Sequence, residues 1–155
     1  MTAEPTLADD EARLAEIAAG LEQSLLATLP VWLEQQVRSR LPDVDSGRLA
    51  AEISATMAEF ASSLARVLRA DVDDGAGNPL AVVRAATVRV TQLLREGGAV
   101  AVARDEFDVR AFPDDLYGLG PAAFVDVDES LHEPGLMWGA ARAHVHLRRR
   151  RERTT

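Results

Sequence analysis

The chain has 155 residues, 47% of them hydrophobic, and a net charge of −8, which is sufficient apolar sequence for one domain with a single core. It contains no cysteine, which excludes disulfides, thiolate metal sites and thiol catalysis. The negative charge disfavours general binding to nucleic acid, and neither a signal-peptide core nor an apolar run of 18 residues is found, so we expect a cytoplasmic protein without membrane insertion.

Apolar residues at helical spacing predict a first helix over residues 7–29. Pro30 interrupts the pattern, and a proline inside a helix removes a backbone hydrogen bond and clashes with the preceding turn. The pattern leaves two alternatives, a kink or a new helix that begins at Pro30. The stretch LPDVDS at 41–46 ends the element, and Asp45 or Ser46 can cap the helix that follows.

Further helices follow in the middle of the chain. The apolar stripe over 49–68 predicts the clearest helix of all. Asn78 followed by Pro79 is a start signal, because the asparagine caps free amides and the proline has a helical φ angle already. Two glycines at 97–98 end this helix, and we expect another short helix over 101–111.

The last predicted helix spans residues 134–151. Strands find almost no support, so the fold expected is an all-α bundle of about four longer helices with short helical turns. We expect one domain over residues 1–155, with disordered tails at 1–6 and 152–155. The inner face of the last helix is expected to hold Met137 or Trp138, together with Ala141 and Val145.

Residues 111–133, which we call the strap, follow neither a helical nor a strand period. Five of the seven aromatic residues of the chain lie in or near it. Large rings bury much surface and prefer to pack together, so we interpret the strap as an irregular segment packed on the bundle. The competing interpretation exposes some rings as a docking patch. The rings assigned to the structural role are Phe107, Phe112, Phe124 and Trp138.

Charge is segregated along the second half of the chain. Residues 105–133 carry nine acids against one arginine, whereas residues 142–153 carry six arginines against one glutamate. The arginines can complement the negative end of the helix dipole or pair with the acidic strap. They can also bind a partner, as can polar groups of the strap. The candidate partner-binding residues are Arg148, Arg149, Arg150, Arg151, Arg153, Asp114, Asp115 and Tyr117.

The sequence contains no clear catalytic or metal-binding motif. His132 and Glu133, with nearby aspartates, are the best candidates for a metal or acid–base site, but HEPGLMW lacks a second histidine at ligand spacing. Asp114 and Asp115 are adjacent, whereas paired catalytic carboxylates need a substrate between them. We therefore assign no catalytic residue, no metal and no cofactor.

Three functional hypotheses follow, in decreasing order of support. The first is a non-enzymatic protein-binding module, a regulator or adaptor whose partner is another protein or a second copy of itself. The second is binding of nucleic acid through the arginine cluster, with salt-sensitive affinity. The third is a metal-dependent or acid–base enzyme that uses His132, Glu133 and nearby aspartates.

The second half of the chain also resembles a known group of proteins. The stretches NPLAVVRAA and VARDEFDVRAFPDDLYGLGPAAFVDVDESLHEPGLMWGAARAHVHLRRR, together residues 78–150, resemble the C-terminal part of an uncharacterised family of small helical proteins from high-GC Gram-positive bacteria. The resemblance implies a cytoplasmic bacterial protein. It implies no catalytic residues.

Overall fold

The computed structural model describes residues 3–71 and 77–155. Within these ranges the chain forms α-helices and 3₁₀ turns and no strand, which confirms the expected all-α bundle. The helices are α1 (Leu7–Arg40), α2 (Ser46–Arg69), α3 (Pro79–Ala86), α4 (Val88–Glu96) and α5 (His132–Thr154), with 3₁₀ turns at Phe124–Asp126 and Glu129–Leu131.

Helix α1 is a single long element. It begins at a capping box, in which Asp9 N donates to Thr6 Oγ1 at 3.2 Å and Thr6 N donates to Asp9 Oδ2 at 2.7 Å. Thr6 is therefore the N-cap of α1, whereas Met1 and Thr2 lie outside the described residues. The helix also continues through Pro30, so no new helix begins there.

The next two helices begin where local capping chemistry predicts. Arg48 N donates to the carboxylate of Asp45 at 2.7 Å, which settles the choice of cap for α2. Ala81 N donates to Asn78 Oδ1 at 2.9 Å at the start of α3. The helix expected to reach residue 96 is divided at Thr87, whose hydroxyl donates to Arg84 O at 2.7 Å and competes with the regular backbone ladder.

The prediction of a helix over 101–111 is wrong. This part of the chain is irregular, and it is tied instead to the strap by a hydrogen bond of 2.8 Å from Val102 N to Leu116 O. A short isolated helix is marginal in water unless an apolar face is buried. Val100 and Val109 are 87% and 97% exposed, so packing does not supply that stabilisation here.

Helix α5 packs along α1 and is longer than expected at both ends. It begins at His132 and remains helical to Thr154, so residues 152–154 belong to the helix. Its buried positions are Gly135, Trp138 and Val145, whereas Met137 is 49% exposed, which decides between the two candidates for the inner face. No helix of the described ranges is long and apolar enough to cross a membrane.

The core lies between α1, α2, the short helices α3 and α4, and the start of α5, and it is closed by part of the strap. A leucine and valine stripe on α1 is fully buried, consisting of Leu21, Leu25, Leu29, Leu33 and Val37. From the strap, Tyr117, Leu119, Val127 and Leu131 join the same cluster. The strap is thus an integral part of the core at these positions.

Candidate protein-binding surface

The aromatic rings near the strap divide into buried and exposed groups. Tyr117 is 4% exposed and Trp138 is 6% exposed, whereas Phe112 and Phe124 are half-buried. Phe107 is 82% exposed, so its assignment as a structural ring is wrong. Its position in a segment without a buried apolar face explains the difference.

Tyr117 was expected to be a candidate for partner binding, and the structure contradicts this role. Its ring lies in the core, and its carbonyl oxygen accepts a hydrogen bond of 2.9 Å from Arg40 Nε on α1. This contact joins residues that are 77 positions apart in the sequence. Tyr117 therefore anchors the strap to the bundle and presents no surface to a partner.

Residues 100–110, which we call the apolar loop, carry four large apolar side chains that are exposed to solvent. Among them, Phe107 is 82% exposed and Val109 is 97% exposed. Scattered apolar residues are normal on a protein surface, so the relevant feature is their concentration in one short segment. The exposed set is Val100, Val102, Phe107 and Val109.

The apolar loop is held in shape by a guanidinium group. Arg110 donates from Nε to Asp108 Oδ2 at 2.6 Å, and its terminal nitrogens donate to the carbonyl oxygens of Val102 and Ala103. Asp105 supplies a local turn, because its carboxylate accepts from Phe107 N at 2.9 Å. These bonds fix the backbone on both sides of Phe107, so the ring is presented from a preformed turn.

The start of the apolar loop is attached to α4 and to the strap. Ala99 N donates to Leu94 O at 2.9 Å, directly after Gly98, whose φ of 76° lies in the left-handed region that favours glycine. At the same end of the loop, the hydrogen bond from Val102 N to Leu116 O leads to the buried Tyr117. The loop therefore projects from a start that is hydrogen-bonded on both sides.

A surface groove of about 660 Å³ lies beside the strap, along α4. Arg84 extends along one wall, with its guanidinium carbon 4.6 Å from the centroid of the Phe112 ring and Nη1 3.0 Å from Pro121 O. Of the two adjacent strap aspartates that line the groove, Asp114 is exposed, whereas Asp115 accepts a hydrogen bond from Gly120 N. The two adjacent carboxylates thus have different environments, and one of them serves the strap itself.

The charges along this groove are partly paired. Arg48 bonds to Glu96, and the hydrogen bonds from Arg48 and Gln92 hold the pKa of Glu96 below its usual value. Arg89 lies 2.5 Å from a carboxylate oxygen of Glu59. Two of the four arginines that line the groove therefore have carboxylate partners, and the other two form no ion pair with a carboxylate of the described residues.

The arginine cluster is divided between structure and surface. Arg148 bonds to Asp10 on α1, and Arg149 Nη2 lies 2.8 Å from Glu11 Oε1 and Nη1 3.1 Å from Asp71 Oδ2. The expected pairing with the acidic strap is therefore replaced by pairing with the start of α1. Within the described residues, the guanidinium groups of Arg150, Arg151 and Arg153 form no ion pair.

His132 and Glu133 are the first two residues of α5, and both are exposed. In the part of the chain that the structure describes, no three histidine, aspartate or glutamate side chains converge on a metal-sized site. His144 instead contacts Asp10, with 3.1 Å between Nε2 and Oδ2.

No protein-family model, curated protein or solved structure matches this chain. The resemblance of residues 78–150 to small helical bacterial proteins therefore stays a prediction. Sequence reasoning missed Val109 and Val100 as surface residues. The available signal for Val109 was the density of charged residues in VARDEFDVR, residues 102–110, which is unusual for a helix with one buried face.

Proposed function

We propose that this chain is a non-enzymatic protein-binding module of the cytoplasm, a regulator or adaptor that docks through its apolar loop. The observation that carries the proposal is the exposure of Phe107 and Val109 on a turn braced by Arg110. Large exposed rings are costly to leave in water, and aromatic anchors dominate the energetics of protein interfaces. A preformed turn also lowers the conformational entropy lost on binding.

The chemistry of the loop indicates the kind of surface that would bind it. Phe107 and Val109 need an apolar cleft, while the neighbouring strap is rich in acids, including the exposed Asp114. Charge complementarity across an interface steers association and selects partners. We therefore expect a protein partner with an apolar cleft surrounded by basic residues.

A photocrosslinking experiment tests this docking surface. Position 107 is replaced by p-benzoylphenylalanine, which conserves the aromatic ring, and the full chain is irradiated in cells of the source organism. The matched control carries the same group at Val88, a 66% exposed valine on α4 outside the loop. We expect one adduct of defined mass at position 107 and none at position 88.

A charge variant then checks the chemistry of the partner. Glu106→Gln with Asp114→Asn removes two exposed charges whose carboxylates take no part in bracing the loop. We expect a lower adduct yield from this variant at moderate salt, because the electrostatic attraction is weaker. Absence of an adduct at position 107, or the same adducts at both positions, contradicts the proposal.

A second candidate function is binding of nucleic acid through the end of α5. The observation that favours it is the exposed group of Arg150, Arg151 and Arg153, whose charges are not neutralised by carboxylates of the described residues. Three phosphate contacts predict a slope of about −2.7 for log K against log salt on duplex DNA. Replacement of all three arginines by glutamine should abolish retention, and an intact protein that is not retained at low salt rules out this function.

A further inference from the structure

The outer face of α5 carries an apolar stripe that residues 3–71 and the rest of 77–155 leave exposed. The stripe consists of exposed residues at spacings of four, three and four, namely Leu136, Ala140, Ala143 and Leu147. Leu136 is 61% exposed and Leu147 is 53% exposed. At about 100° per residue, these positions lie on the side of the helix opposite to the buried Trp138 and Val145.

This spacing is that of the contact positions in paired helices, where apolar residues recur every three and four positions. The large side chains lie at the two ends of the stripe and the alanines in the middle. Small residues at the centre allow two helix axes to approach closely, because interaxial distance depends on the side chains at the contact. The stripe is thus suited to another helix.

The charged residues that flank the stripe indicate which helix would pack against it. Glu133 precedes the stripe by three residues and Arg150 follows it by three, and both are exposed. Read in either direction, the face has a leucine, two alanines and a leucine, with an acid at one end and a base at the other. Such a face is complementary to itself when a second copy is inverted.

We propose that α5 pairs with α5 of a second copy of this chain in an antiparallel, two-fold symmetric contact. In this register Leu136 lies against Leu147 of the second copy, and Ala140 lies against Ala143. Glu133 then lies opposite Arg150 and Arg151, and symmetry repeats the pairing at the other end. A parallel arrangement is disfavoured, because it brings Glu133 against its own copy and Arg150 against its own copy.

The contact consists of one helix face from each copy, which is smaller than a standard interface of about 1,600 Å². We therefore expect a dimer with a Kd in the micromolar range, measured by sedimentation velocity on the full chain. A protein that remains monomeric at about 1 mM overturns the proposal.

Two variants test whether the stripe forms the contact. Ala143→Glu places two carboxylates near the symmetry axis, and we expect a Kd about 100-fold weaker, since like charges across an interface are strongly unfavourable. Val88→Glu introduces the same charge at an exposed valine on α4 and should leave the Kd unchanged. Equal dissociation constants for the two variants overturn the proposal. Because both sites are exposed, both variants should fold, and circular dichroism should show native helix content in each.

Charge exchange tests the ends of the contact. Two variants each carry a single sign of charge at both ends of the stripe. The first is Glu133→Arg, and the second combines Arg150→Glu with Arg151→Glu. Each variant should therefore self-associate more weakly than the wild type. An equimolar mixture of the two variants should form heterodimers, since opposite charges then meet at both ends. Failure of the mixture to associate better than either variant alone overturns the charge pairing.

Thiol crosslinking tests the relative orientation of the two α5 helices. Because the chain contains no cysteine, the introduced cysteines are the only thiols that can react. Chains with Leu136→Cys and chains with Leu147→Cys are mixed and treated with a short bis-maleimide. An antiparallel pair predicts the mixed product, whereas a parallel pair predicts crosslinks only between identical positions. Exclusive formation of identical-position products overturns the orientation. The dimer surface is separate from the apolar loop, so this proposal and the proposed function can fail independently.

Discussion

The ring of Phe124 lies directly against the backbone of Gly135, and a β-carbon at this glycine would overlap the ring. Phe124 begins a 3₁₀ turn in the strap, and Gly135 is a buried residue in the first turn of α5. The contact therefore joins the strap to the helix that follows it. The contact requires a glycine at position 135, and this requirement becomes visible only when the strap and α5 are seen packed together.

Gly135→Ala should destabilise the protein. Alanine in a helix normally gains about 0.5–1 kcal/mol over glycine, but overpacking costs about 1–3 kcal/mol, so we expect a net loss of about 1 kcal/mol. Gly139→Ala is the matched control on the same helix, because a β-carbon there meets no atom within 4 Å. The control should gain about 0.5 kcal/mol in urea unfolding. Equal effects at the two glycines would contradict the contact.

The ion pair between Asp10 at the start of α1 and Arg148 near the end of α5 should weaken in acid. A hydrogen bond from Arg148, opposed by burial and assisted by His144, lowers the pKa of Asp10. Because the folded pKa is depressed, this contribution to stability is present above the unfolded pKa of about 3.9 and is lost as pH falls through the folded value. Asp10→Asn should therefore flatten the dependence of stability on pH below about pH 4.

The control for this prediction is Glu34→Gln, which removes an exposed ion pair with Arg38 on the same helix. Exposed pairs of this type contribute about 0.3–0.5 kcal/mol, so unfolding at pH 7 should change little. Chemical unfolding of both variants at several pH values gives the comparison. A pH profile for Asp10→Asn that parallels the wild type would show that this ion pair contributes nothing to the pH dependence of stability, which contradicts the prediction.

Truncation of two aromatic residues should change the stability of the protein by very different amounts. Tyr117→Ala removes a ring that is 4% exposed, and we expect a loss of about 3 kcal/mol. Phe107→Ala removes a ring that is 82% exposed, and the stability should remain within about 0.5 kcal/mol. Thermal and urea unfolding measure both. A loss above about 1 kcal/mol for Phe107→Ala would place that ring in the core after all.

Thr56→Val should stabilise the protein. Thr56 is 3% exposed, and its hydroxyl has no hydrogen-bond partner among the described residues. Replacement of an unsatisfied buried hydroxyl by a methyl group of the same shape removes a desolvation cost, and we expect a gain of about 1 kcal/mol. Thr28→Val is the matched control, because its hydroxyl donates to Ser24 O at 2.9 Å and its loss should cost about 0.5 kcal/mol. A destabilised Thr56→Val would reveal a partner for that hydroxyl.

Local signals predicted the long helices well. The apolar period placed α2 and the body of α1, and the side-chain caps at Asp45 and Asn78 marked the starts of α2 and α3. The same signals failed where two local preferences compete. At Thr87 a side-chain hydrogen bond interrupts a helix whose apolar period continues, and sequence pattern does not weigh one against the other.

The candidate surface was harder to predict. Phe107 lies between two acids and Tyr117 lies two residues after Asp115, yet the first ring is exposed and the second is buried. Their difference arises from distant contacts, such as the hydrogen bond from Arg40 to Tyr117 O. Arg148 and Arg149 were likewise indistinguishable from Arg150 in the sequence. Only the packing of α5 along α1 brings them to carboxylates more than 130 residues away.

The amino-acid sequence by itself determined that this protein is helical, where most of its helices lie and which helix faces are apolar. These properties depend on spacing and capping over a few residues, which is information that a single stretch of chain contains. Tertiary structure alone decided which rings of the strap are buried, which arginines are paired and which face of α5 remains uncovered. Those outcomes depend on which segments meet in space, because burial and ion pairing are properties of contacts between elements far apart in the chain.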